Sequence, residues 1–140
     1  MTNAPKPQSN EPAHDPEVLE LAQKIFGLAR HGDTDTVAAY VDAGVPVNLT
    51  NDDGDPVLML AACNGHADVV RVLLDRGADP DKPDGKGRMP IAGAVSAGED
   101  EVVRVLLEGG ANPRAGEPSA VETARESGKK EFLELFGERA

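Results

Sequence analysis

The chain has 140 residues, enough for one domain and too few for two of ordinary size. Fourteen Lys and Arg stand against 25 Asp and Glu, a formal charge of −11, which argues against both nucleic acid and an anionic membrane surface as partners. The one cysteine rules out an intramolecular disulfide, and the longest apolar run, Val57 to Cys63, falls far short of the roughly 20 residues of a membrane span.

Aromatic residues make up 3% of the chain (Phe26, Tyr40, Phe132, Phe136), so the core must be built from Leu, Val and Ala. Such a core suits short, closely packed helices. Residues 1–14 carry Pro5, Pro7 and Pro12 among small and polar neighbours, too little apolar surface to offset the entropy of ordering. A mobile tail is expected there. It lacks the apolar stretch of a signal peptide, and with no cysteine pair the cytoplasm is the expected compartment.

Order is expected to begin at Asp15-Pro16-Glu17, where an N-cap, a first-turn proline and a first-turn acid follow one another. Apolar residues from Val18 to Ala29 then recur at helical spacing until Gly32. From here the text repeats. Gly32, Gly65 and Gly98 lie 33 apart, as do Gly44, Gly77 and Gly110, and Gly54 and Gly87. The stretch from Asp68 to Pro80 matches the stretch from Glu101 to Pro113 nearly residue for residue. Three glycine registers at one interval predict a stack of like units.

Each unit reads as two short helices and a turn. In the second, Val57 to Asn64 and Ala67 to Arg76 are predicted helices broken at Gly65. Val69, Val72 and Leu73 give the latter an apolar stripe, and Gly77 can close it in the left-handed conformation. Asp79 to Gly87 is turn chemistry. One such unit cannot bury both faces, whereas a stack buries a continuous core.

Ala61-Ala62-Cys63-Asn64-Gly65-His66-Ala67-Asp68-Val69-Val70, followed by Leu73-Leu74-Asp75-Arg76-Gly77-Ala78-Asp79, resembles the text of ankyrin repeats. The resemblance implies an all-α solenoid of helix-turn-helix units with short β-turn fingers, in a small protein whose Ala, Gly, Asp, Val and Arg content fits a GC-rich bacterial genome. It covers residues 15–138 as units of about 16–50, 51–83, 84–116 and 117–138, the first and last acting as caps. The family's Thr-Pro-Leu-His helix start is nowhere intact: Pro56-Val57-Leu58-Met59 and Met89-Pro90-Ile91-Ala92 take its place, so side-chain caps should be missing there. Gly93 stands where the family prefers Leu, which marks the third unit as a soft spot, and a shortened span before Ser119 predicts a stubby fourth finger.

Other motifs fail. Asn51-Asp52-Asp53-Gly54-Asp55 has Leu49 and Leu60 where a calcium loop needs acidic ligands. Gly85-Lys86 and Gly128-Lys129 lack the rest of a phosphate loop. Cys63 and His66 have no third group in the text to orient an imidazole, so a thiolate nucleophile is the minor reading. Three histidines, one of them in the tail, make a metal site improbable, and no cofactor is expected. No enzymatic site assembles.

The resemblance implies instead that fingers and first helices present a concave protein-binding surface. By position this gives Asp52, Asp53, Asp55, Met59, Cys63 and Asn64 from the second unit and Lys86, Arg88, Ser96 and Ala97 from the third. Arg30, His31 and Thr50 flank them on one side, and Glu126 and Ser127 on the other. Residues 51–83 hold three basic and seven acidic side chains, and residues 84–116 four and five, so the strip runs from acidic towards basic over one repeat. The expected function is a monomeric, non-catalytic module that binds another protein. The alternatives are an accessory protein for one enzyme, as some small bacterial ankyrin proteins are for haem catalases, and chemistry at Cys63.

Overall fold

The computed structural model describes residues 16–138. Asp15 and the stretch 1–14 lie outside them. Eight helices follow in order: α1 (Pro16–His31), α2 (Thr34–Asp42), α3 (Val57–Cys63), α4 (Ala67–Asp75), α5 (Pro90–Ala97), α6 (Asp100–Glu108), α7 (Ala120–Glu126) and α8 (Lys130–Leu135). Odd-numbered helices pack side by side as an inner row, α1 on α3, α3 on α5 and α5 on α7. An outer row, α2, α4 and α6, backs onto it, and α8 closes the end against α7. The helix pairs are those the 33-residue register predicts, with ends shifted by a residue or two.

Local chemistry sets the helix starts. Asp33 caps α2 by accepting from the Thr36 amide at 3.3 Å. No side chain caps α3 at Pro56 or α5 at Met89, as their departure from the Thr-Pro-Leu-His start predicts. α7 carries a full capping box: the Glu122 amide donates to Ser119 Oγ at 3.1 Å, and the Ser119 amide donates to Glu122 Oε1 at 2.8 Å. Here the Gly116–Ser119 bridge replaces the wider Thr50–Pro56 bridge of the second finger, so the fourth finger is indeed short.

The core is aliphatic over most of its length, with Ile25, Leu58, Leu73, Ile91 and Leu106 fully buried. Phe132 and Phe136, stacked with centroids 6.5 Å apart, fill its C-terminal end. The apolar stripe of α4 differs from expectation: Val69, Val70 and Leu73 are buried and Val72 is only half-buried. α4 is enclosed by α2 and α6 as well as by α3, so two of its flanks are covered.

Polar bonds join the units at repeated positions. Asn48 Oδ1 accepts from the Asp79 amide at 2.8 Å, and 33 residues on Asp81 Oδ1 accepts from the Asn112 amide at 3.0 Å. His66 Nε2 donates to the Arg30 carbonyl at 2.7 Å. Its ring lies over Gly32, where an added β-carbon would come within 2.5 Å of it, and Gly32 is left-handed at φ 82°. On the outer row Arg76 clasps Asp42 at 2.8 and 3.1 Å, and these guanidinium bonds hold the Asp42 carboxyl below the usual range. At the C-terminal cap Arg114 and Arg125 both reach Glu138, and Arg114 also donates to the Phe136 carbonyl at 3.0 Å. The Arg114 bond first, then that of Arg125, lowers the Glu138 pKa. These pairs lie at the surface, so they link neighbouring elements rather than supply much stability.

Candidate functional site

The second and third fingers are built alike. Asn51 Oδ1 accepts from the amides of Asp53 and Asp55 at 3.0 and 2.9 Å. Thirty-three residues on, Asp84 Oδ1 accepts from those of Lys86 and Arg88 at 2.9 and 2.8 Å. Each turn is thereby closed by a side chain that mimics backbone. The fingers also touch. The Gly85 amide donates to Asp55 Oδ1 at 3.3 Å, and Gly85 packs directly on the backbone of Asp53 and Gly54.

This stacking brings Asp53, Asp55, Asp84, Lys86 and Arg88 around one hollow of about 700 Å³. Asp52, Asp53 and Lys86 are exposed tips. Asp55 is half-buried and committed to Gly85, and Asp84, absent from the sequence-based site, holds Arg88. The Asp84 carboxylate is 6% exposed and takes the Arg88 Nε bond at 3.3 Å. Its position 33 residues after Asn51 is the sequence signal for that role.

The inner-helix row supplies the floor. Arg30 and His31 are exposed at the end of α1, where His31 Nδ1 donates to the Gly27 carbonyl at 2.7 Å. Asn64 is exposed and folds its amide back on the Leu60 carbonyl at 2.7 Å. Ser96 and Ala97 are exposed, Cys63 and Thr50 are half-buried, and Glu126 and Ser127 lie exposed at the far end. The helix row thus runs from basic to neutral to acidic while the finger row runs from acidic to basic.

Met59 does not belong to this surface. It is 2% exposed, and its methyl fills the hollow left by Gly93. A β-carbon on Gly93 would lie 2.9 Å from both Cys63 Sγ and Met59 Cε, so the missing Leu leaves close packing rather than a void. Gly93→Ala gains about 1 kcal/mol in helix propensity but overpacks by about 1–3 kcal/mol. It should destabilise the parent, and Cys63→Ala should relieve part of that loss. A double-mutant cycle in urea reads the coupling, expected at about 0.5–2 kcal/mol; a smaller value would mean that the thiol simply swings away.

The Cys63 thiol and the His66 ring face different neighbours. Sγ lies 3.8 Å from Arg88 Nη2 towards the third unit, whereas His66 bonds the first. Burial pushes the thiol pKa up, and the nearby Arg88 charge offsets this only in part. A protonated thiol with no imidazole on it is a poor nucleophile. Among the described residues, no three His, Cys, Asp or Glu side chains are grouped to hold a metal ion, and no helix is long and apolar enough to cross a membrane.

These paired helices, fingers and glycine registers define a class of repeat protein. The sequence model for ankyrin repeats, in three copies, matches residues 25–116, more than half of the chain. The chain belongs to the ankyrin-repeat family. It is similar to an ankyrin repeat protein of Pseudomonas aeruginosa, 40% identical over 65 residues, a match covering 46% of this chain and 35% of that relative. The matched stretch thus spans about a third of the relative's length. Ankyrin repeats in general mediate protein–protein interaction.

Proposed function

We propose that this chain is a non-catalytic binding module that docks another protein on its finger and inner-helix surface. One observation carries the reading: two side-chain-closed fingers, locked together at Gly85, present Asp53 beside Lys86 and Arg88. A rigid, charge-patterned platform sets register and steers encounter without needing a catalytic group. The module is read as a monomer working in the cytoplasm, with no nucleic acid or membrane as partner. An accessory protein for a single enzyme would use the same platform and would show one stoichiometric partner.

The test is a pull-down from native extract with wild type and an Asp53→Lys, Lys86→Glu variant of matched circular dichroism. Lys86 is the residue to reverse, because a carboxylate at position 88 would face buried Asp84 and confuse binding with folding. Capture by wild type and loss with the variant is the expected result. A partner retained by both proteins would place binding elsewhere.

A further inference from the structure

The finger row has an open end. The second finger is covered on one side by Gly85 of the third, but its other side meets α1, a helix, where a finger would stand in a longer stack. In the 33-residue register Leu19 occupies the place of Asp52 and Gly85, and Glu20 that of Asp53 and Lys86. The result is a cleft of about 310 Å³ between α1 and the second finger, walled by Leu19, Phe26 and Leu49 with Asp52 at its rim. Leu19 is 42% exposed and Phe26 is only partly buried. At the register position of Phe26, the inner units carry Met59 and Ala92, each 2% exposed.

We propose that this cleft takes an apolar side chain of the partner protein, carried beside a basic residue that meets Asp52 at its rim. The proposal rests on the protein-binding reading above and extends the strip by one position, so that its order is apolar, acidic, basic. Charge complementarity selects the occupant. Leu135 is the other exposed large apolar residue of the described chain, and it lies beside Glu131 and Glu134. A second copy would therefore bring carboxylates against an acidic rim, a repulsive match. A Lys or Arg flanking the apolar anchor removes that repulsion and adds a charge-assisted bond. Apolar anchors in such clefts dominate binding energy when the rim excludes water.

The probe is a bead-displayed library of random ten-residue peptides, screened with the full chain. Retained sequences should carry a large apolar residue within a few positions of Lys or Arg. Leu19→Glu should weaken their binding at least about tenfold, since one buried anchor is worth that much, and Asp52→Lys should weaken it too. Both sites are exposed, so the fold should survive. Peptides that depend on Asp53 and Lys86 but ignore Leu19→Glu would overturn the cleft and leave the concave surface standing. A library from which wild type retains nothing would overturn both. A dimer in light scattering that Leu19→Glu dissociates would give the cleft to a second copy and overturn the choice of partner.

Discussion

Leu73→Ala should lower the free energy of unfolding by about 2–5 kcal/mol, the usual cost of emptying a buried Leu site. Leu73 has no exposed surface, and its helix, α4, packs on α2, α3 and α6. The cavity would open where the inner and outer rows meet, with helices on both sides that cannot close over it without leaving their own neighbours. Net stability of a domain this size is about 5–15 kcal/mol, so this single change removes a large share of it. Urea denaturation followed by circular dichroism gives the number. The slope of the transition gives more. In a stack, stability is a sum over units and their interfaces. If the slope is kept, the units still unfold together; if it falls, α1–α2 and α5–α8 have come apart as separate blocks. A loss under about 1 kcal/mol would mean that the site collapses freely.

Gly85→Ala should damage the fingers more than the helices. Gly85 does not need the left-handed conformation, so alanine fits its backbone. The obstacle is space: a β-carbon would lie 1.9 Å from the Asp53 carbonyl oxygen and 3.1 Å from its carbon. Backbone on one side meets backbone on the other, and Asn51 pins the second finger in place. The fingers must part, and the Gly85–Asp55 bond is broken with them. A stability loss of about 1–3 kcal/mol is expected, with the helical circular dichroism unchanged. Partner capture should fall as sharply as with the charge-reversed variant, although no charge has changed. Gly87→Ala is the control. Gly87 is left-handed at φ 83° with open space around it, so alanine there adds conformational strain of about 1–2 kcal/mol without a clash. Should both substitutions leave capture equally intact, finger stacking is not what presents the charges.

The helix pairs were legible because glycine recurs at a fixed interval and apolar residues keep helical spacing between recurrences. Helix ends followed from the same signals to within a residue or two. Which residues of a helix face inwards was less legible. Val70, not Val72, is buried in α4 because that helix has neighbours on both flanks, and a single-stripe pattern assumes one. The family resemblance put Met59 on the binding surface, yet it turns inwards, where Gly93 in the next unit vacates the room its methyl fills. That depends on a pair of residues 34 apart, which no local pattern joins. The Ser119-x-x-Glu122 capping box was written in the sequence and stands at the same helix start as Pro56 and Met89, displaced from the 33-residue register by the shortened fourth finger. Arg114, Arg125 and Glu138 carry no periodic mark, and only the closed C-terminal cap brings them together. Among the site residues, Asp52, Asp53 and Lys86 were named by position from the family resemblance, and turn chemistry agrees with their exposure. Asp84 went unread as the support of Arg88 because an acid four residues before an Arg signals a pair on a helix, and this pair sits in a turn.

The junction bonds have a consequence for the length of the chain. Asn48 meets the Asp79 amide and Asp81 meets the Asn112 amide, so each junction uses a side chain on one unit and main chain on the next. The main-chain half is the same whatever residue follows. A duplicate of residues 51–83 inserted after Pro83, with glycine in place of Asp52 in the added copy so that it can stack on Asp53 as Gly85 now does, would meet the same junction donors and acceptors on both sides, and both caps would keep the surfaces they now cover. The fold therefore sets no natural size for this molecule. It can grow by whole units, and each addition would lengthen the strip without rewriting the ends.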